Sequence, residues 1–124
     1  MRLRGLKEKD IQKALIEWSQ YVPCRTHGGY IFDYLFATPN GGYRKLLEAV
    51  ELKRQGVKAG VPDLFLALPS KGHHGLFLEL KRDNKCKVTE AQNCFIERMK
   101  LVGYEAFVAY SLDEAISIIQ NYLR

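Results

Sequence analysis

The chain has 124 residues, 47% of them hydrophobic and 27% charged, which is enough apolar side chain for one packed domain and too short a chain for two. A formal net charge of +5 permits a polyanionic partner, and three cysteines without C-x-x-C spacing argue against a secreted disulfide framework. The charged N-terminus lacks an apolar signal region, and runs such as Leu64 to Leu68 are too short to cross a bilayer. A soluble cytoplasmic domain with no membrane partner is expected.

Ile11, Ala14, Leu15, Trp18 and Val22 recur at helical spacing and predict an amphipathic helix over 7–20. Tyr30 to Thr38 is aromatic-rich and ends at Pro39, as a strand entering a turn does. Tyr43 to Arg54 predicts a second helix with Leu46, Leu47 and Val50 on one face, stopped by Gly56. Two strands, Asp63 to Leu68 and Leu76 to Lys81, flank a Gly- and Pro-rich loop and predict a hairpin. Thr89-x-x-Gln92 reads as a capping box opening a third helix, with Ala91, Phe95, Met99 and Val102 inward and Gly103 at its C-terminus. Tyr104 to Tyr110 is nearly continuously apolar, as a buried strand is. Ser111-x-x-Glu114 repeats the capping box before a last helix carrying Leu112, Ala115, Ile116, Ile119 and Leu123. Helix, strand, helix, hairpin, helix, strand, helix predicts an α/β sandwich, one mixed sheet flanked by helices.

Three charges stand out because they sit where strands are otherwise apolar. Asp63 opens one strand, and Glu79 and Lys81 end another. Side chains alternate along a strand, so Glu79 and Lys81 share a face opposite to Leu78 and Leu80. Antiparallel pairing of the two strands would bring Asp63 beside Glu79. Two carboxylates and an ammonium in one cleft suit phosphodiester hydrolysis, in which a divalent cation held by hard oxygen ligands neutralises charge and activates water. A nearby lysine can orient that water or stabilise the anionic transition state. Each residue alone would also fit a strand-entry turn or a same-face ion pair.

Asp63…Glu79-x-Lys81, with Val61-Pro62 before the first acid, resembles the PD-(D/E)XK nuclease signature. Pro39-Asn40-Gly41-Gly42, Gly56 through Leu64, Glu79-Leu80-Lys81 and Gln92 together resemble a VRR-NUC domain from Glu8 to the final helix, of the short standalone phage and bacterial type. The resemblance implies a restriction-endonuclease-like core with a mixed central sheet, spanning residues 1–124 as a single domain. It implies a Mg2+- or Mn2+-dependent, structure-selective DNA endonuclease that cleaves four-way (Holliday) junctions as a homodimer, in the host cytoplasm if phage-encoded. By match to the motif, Asp63, Glu79 and the main-chain carbonyl of Leu80 would hold the metal, and Lys81 would be the catalytic lysine. A flap or nicking nuclease on other branched DNA, a catalytically inactive nucleic-acid-binding module of the same fold, and a protein-interaction domain remain as alternatives.

Two further residues carry double readings. Glu8 points along the apolar stripe of the first helix, where a carboxylate needs a partner, whereas Glu17 falls on the solvated face. Glu8 also matches the family's first-helix acid, with Gln12 one turn on, so an active-site role with possible metal contact stands beside simple complementarity to the helix N-terminus. Gln92 matches a family helix glutamine near the site and is equally placed to cap Thr89. Backbone-directed DNA contact is expected from Asn40, Gly41, Gly42, Arg44 and Lys45, from Lys53, Arg54 and Lys58 before Asp63, and from Arg82, Lys85 and Lys87 after Lys81. His73 and His74 lack metal-ligand spacing and are expected in a solvated turn, and Cys24, Cys86 and Cys94 are expected to be structural or incidental.

Overall fold

The changes of hydrophobic period along the chain correspond to a four-stranded sheet with helices on both faces. The computed structural model describes residues 7–38 and 46–124. In chain order the elements are α1 (Glu8–Ser19), a 3-10 turn (Ile31–Asp33), β1 (Leu35–Ala37), α2 (Leu46–Arg54), β2 (Leu64–Leu66), β3 (Leu76–Leu80), α3 (Glu90–Leu101), β4 (Glu105–Ala109) and α4 (Leu112–Leu123). The sheet order is β1-β2-β3-β4, with β1–β2 and β2–β3 antiparallel and β3–β4 parallel. The predicted hairpin and the mixed sheet are therefore present, and α3 makes the crossover that a parallel pair requires.

The leucines of the strands decide which face becomes core. Register aligns Leu35, Leu66 and Leu76 on one face, together with Leu64, Leu78 and Leu80. All six are buried, packed against Ile11 and Leu15 of α1 and Ala115, Ile119 and Tyr122 of α4. Each fully buried leucine contributes on the order of 2 kcal/mol of apolar transfer free energy. The Tyr122 hydroxyl donates to the Leu68 carbonyl at 2.7 Å, which closes the polar end of that residue inside the core.

Four expectations need correcting. The strand over Tyr30 to Thr38 is reduced to Leu35–Ala37, because the Asp33 carboxylate accepts the Tyr30 N–H at 2.8 Å and holds the preceding residues in a 3-10 turn. A short acceptor close in sequence competes with the ladder for that backbone donor. The inward stripe of α3 is Gln92, Phe95, Ile96 and Met99, while Ala91 and Val102 are exposed. Val50 of α2 is about half exposed, so the apolar face expected there is not buried at that position. The histidine loop is not simply solvated: His73 Nε2 lies 3.8 Å from Glu105 Oε2, and the His74 ring meets Tyr104 edge-on at 5.4 Å. The start of α2 near Tyr43 lies outside the described residues.

The two helix caps bear out the sequence pattern with one adjustment. Thr89 Oγ1 accepts the Gln92 N–H at 3.1 Å, and Gln92 Oε1 accepts the Thr89 N–H at 2.9 Å. At α4, Ser111 Oγ accepts the Glu114 N–H, whereas the Glu114 carboxylate reaches the N–H of Tyr110. Gly103 takes φ +99 just past α3, the left-handed position that a C-terminal glycine supplies. Cys24, Cys86 and Cys94 are free thiols. Among the described residues no helix is long and apolar enough to cross a membrane.

Candidate active site

The face of the sheet opposite the leucines carries Asp63, Glu79 and Lys81. Asp63 immediately precedes β2, and Glu79 and Lys81 lie two apart at the end of β3, so strand alternation sends both side chains away from the core. The Asp63 carboxylate accepts the Leu80 N–H at 2.7 Å, which ties the start of β2 to the end of β3 beyond their last ladder pair, Leu64 with Leu78. Glu79 is only 3% exposed and Lys81 only 7%. Burying such groups demands partners. Lys81 Nζ lies 3.4 Å from Glu79 Oε2 and donates to Gln92 Oε1 at 3.0 Å, and Gln92 Nε2 donates to the same Glu79 oxygen at 3.0 Å. Lysine has three donors, and one remains beyond these two contacts.

Gln92 therefore both caps α3 and lies against the acid–lysine pair. Its Oε1 serves the Thr89 N–H and Lys81 Nζ together, so one side chain caps α3 and orients the acid–lysine pair. Gly60 allows the approach that makes this possible. It sits at φ +87, and a Cβ there would stand 2.5 Å from backbone atoms of Ala91. Only glycine lets the loop before Asp63 lie against the first turn of α3.

The electrostatics are strained in the direction that favours a cation. Burial pushes the Glu79 carboxyl up to about 7, reinforced by the charge of Asp63 and opposed by Lys81. Asp63 is also raised, chiefly by burial, with Glu8 adding to the effect and the Leu80 N–H and Lys81 opposing it. Glu8, half-buried in the first turn of α1, thus acts electrostatically on both acids, as its inward placement anticipated. Glu17 is exposed, and Gln12 makes no described hydrogen bond with the cluster.

The donor set fits a hard divalent ion in part from side chains and in part from backbone. The hydrogen bonds that the Leu80 N–H and the Gln92 amide donate to the two acids fall on Asp63 Oδ2 and Glu79 Oε2. In an extended strand the N–H and C=O of one residue point to the same edge, so the Leu80 carbonyl faces the Asp63 side together with its N–H. Among the described residues no group of three or more His, Cys, Asp or Glu side chains is assembled to hold a metal. Two carboxylates, a carbonyl and water remain a normal magnesium environment.

The expected DNA-contacting cations are distributed around this cluster along the chain. Lys53 and Arg54 end α2, Lys58 precedes Asp63, and Arg82, Lys85 and Lys87 occupy the segment from Lys81 to α3, all exposed. Arg54 lies 3.7 Å from Glu51. None of the six contacts the acids in the described hydrogen bonds and ion pairs. Asn40, Gly41, Gly42, Arg44 and Lys45 lie outside the described residues. Two participants had gone unread in the sequence. Thr38 donates its N–H to the Asp63 carbonyl at 2.9 Å and its hydroxyl to the Pro62 carbonyl, fixing the turn into β2. Nothing in a lone threonine before a proline signals that role, whereas Gly60 was visible as punctuation without its purpose.

Known proteins resemble this chain in sequence and in fold. The family model described as the VRR-NUC domain matches residues 6–113. A solved structure titled "VRR_NUC domain protein" superposes with a TM-score of 0.84 at 38% identity, covering 97% of this chain and 90% of that one. A second, titled "VRR_NUC domain", superposes with a TM-score of 0.59 at 23% identity over 95% of this chain and 99% of the other, a likeness of fold. No curated protein sequence matches the chain.

Proposed function

The chain belongs to the VRR-NUC domain family, nucleases built on the PD-(D/E)XK core, and from that premise we propose that it is a Mg2+- or Mn2+-dependent DNA endonuclease acting on four-way junctions as a homodimer. The observation that carries the reading is the joining of Asp63, Glu79, Lys81 and Gln92 into one hydrogen-bonded cluster on the sheet face. Burial of an acid pair whose carboxyls are raised has no structural benefit of its own, since an apolar pair would pack there at less cost.

Asp63, Glu79 and the Leu80 carbonyl would hold the cation, which when bound supplies charge neutralisation and an activated water. Lys81, fixed by Glu79 and Gln92, has one N–H left to donate to a phosphate oxygen or to the attacking water. Gln92 keeps Nζ in that orientation, and Glu8 adds negative charge that favours cation uptake. Lys53, Arg54, Lys58, Arg82, Lys85 and Lys87 would meet backbone phosphates, which makes binding steeply salt-dependent. A symmetric dimer suits a junction that offers two equivalent strands.

The test is cleavage of a labelled four-way junction with Mg2+ or Mn2+, wild type beside Asp63→Ala and Lys81→Ala. Paired symmetric nicks, absent from both variants, are expected. Equal cutting of junction, flap, splayed and linear DNA would remove junction selectivity, and binding without cuts from any version would leave a recognition module. Metal binding is read separately by thermal shift: Mn2+ should raise the melting temperature of wild type more than that of Asp63→Asn. Light scattering reads the dimer.

A further inference from the structure

The face that carries the acids also carries a row of aromatic rings. Register places Phe36, Phe65 and Phe77 side by side across β1, β2 and β3. Ring centroids are 5.7 Å apart for Phe36–Phe65 and 4.6 Å for Phe65–Phe77. Two residues further along the same strands come Thr38 and Glu79, with Asp63 two residues before Phe65. One step of two residues is about 7 Å, so the aromatic row lies directly beside the acid row. Its β3 end is covered, Phe95 of α3 meeting Phe77 edge-on at 5.3 Å and Tyr104 lying 5.4 Å away. At its β1 end Phe36 is 50% exposed.

We propose that Phe36 is a stacking platform for an unstacked nucleobase of the strand whose phosphate lies at the Asp63–Glu79 cluster. The proposal rests on the nuclease reading and adds a substrate class to it: DNA with an unstacked nucleotide next to the scissile phosphate. The size of the exposed patch favours a base over a second copy of the chain. Half a phenylalanine side chain is about 100 Å², far below the roughly 800 Å² per partner of a stable protein interface, and it matches one base face. Phe65 braces the ring at an interplanar angle of 70°, so Phe36 is held in place before any ligand arrives. The separation of the two rows matches that between a phosphate and its own base. In a continuous duplex each base face is already covered by its neighbours. Only a branch point, flap or gap presents a free face, so the platform discriminates by structure and tolerates any sequence.

The test uses the Lys81→Ala protein, expected to bind without cutting, and DNA carrying 2-aminopurine either unpaired at a branch point or inside a duplex. Stacking on Phe36 should quench the unpaired probe. In the Lys81→Ala background, Phe36→Ala and Phe36→Leu should abolish the quench and lower the ratio of branched to duplex affinity about tenfold, and Phe36→Trp should restore both. Phe36→Leu keeps apolar cover over Phe65, so a folding defect in the alanine variant does not decide the result. An unchanged quench, an unchanged affinity ratio, or a change of oligomeric state in the leucine variant would overturn the proposal. The last outcome would make this face an interface between copies. If wild type cuts no DNA yet the quench follows Phe36, the nuclease reading fails and the platform stands.

Discussion

The two faces of one sheet are built from alternate residues of the same strands, and they obey different rules. On one face Leu64, Leu66, Leu76, Leu78 and Leu80 are all buried against α1 and α4, each stabilised by the apolar area it hides. On the other, Phe77 and Glu79 of β3 and Lys81 just past its end alternate with Leu76, Leu78 and Leu80, and the two charges are almost as deeply buried as their neighbours. What differs is the source of order. The leucine face would tolerate a volume-conserving exchange, whereas the acid face depends on a closed set of hydrogen bonds through Asp63, Leu80, Glu79, Lys81 and Gln92. A stable sheet thus supplies from one side the rigidity that lets the other side hold a strained group of charges.

The largest expected effect separates the faces by activity. Lys81→Ala should act chiefly on the chemistry, lowering the cleavage rate per folded molecule by about a thousandfold, the scale of losing a positioned group that stabilises developing charge, even though it also leaves Glu79 without its buried partner. Leu78→Ala, one step away from Glu79 on the opposite side, should do the reverse. It should cost roughly 2–5 kcal/mol of unfolding free energy in a denaturant titration while leaving the rate per folded molecule near that of wild type. If Leu78→Ala cut activity per folded molecule as deeply as Lys81→Ala, the division between the faces would be wrong.

A smaller effect should appear as a pH dependence of stability. In the folded protein burial holds a proton on Glu79 up to about pH 7, whereas a free glutamate carboxyl releases it near 4.5. The unfolded chain binds fewer protons in that window, so metal-free stability falls as pH rises from about 4.5 to about 7 and levels off above it. The total is on the order of 1–3 kcal/mol. Glu79→Gln cannot titrate, so its unfolding free energy, measured against wild type from pH 4 to 8 without divalent metal, should lack that part of the slope. Parallel curves for the two proteins would show that the acid is not held at the cost inferred from its burial.

How much of this the sequence revealed follows from the same division. Alternation in Leu78-Glu79-Leu80-Lys81 exposes both faces of β3 at once, so the leucine core, the hairpin and the acid–lysine group were legible, as was the inward placement of Glu8. The α3 stripe departs from the expected one at Ala91 and Val102, because apolar spacing alone gives Gln92 no place in it. Its partners, Glu79 and Lys81, are distant in sequence, and periodicity counts only apolar residues. The aromatic row was hidden for a related reason. Phe36, Phe65 and Phe77 become neighbours only through register, and register across β1, β2 and β3 is not written in any one strand. The 3-10 turn before β1 escaped notice because one carboxylate, Asp33, redirects a segment whose composition favours a strand.

The smallest effects test the residue in which stability and chemistry meet. Thr89 and Gln92 cap α3 reciprocally, yet only Gln92 extends into the acid cluster. Thr89→Ala should cost about 1 kcal/mol of stability, the usual value of an N-cap, and leave the rate nearly unchanged. Gln92→Ala removes a cap partner as well, so a comparable loss of stability is expected. It also frees Lys81 Nζ from Oε1 and Glu79 Oε2 from Nε2, and should lower the cleavage rate about tenfold, in the range of losing one hydrogen bond to a charged group. Gln92→Glu keeps an acceptor for both Thr89 and Lys81 but places a third carboxylate beside Asp63 and Glu79. It should retain the cap, shift the pH at which cleavage reaches half its maximum, and so separate a positioning role from a purely structural one. Two alanine variants with equal stability and equal activity would mean that Gln92 is a cap alone, and that the acid face is ordered by Lys81 and the strand backbone without it.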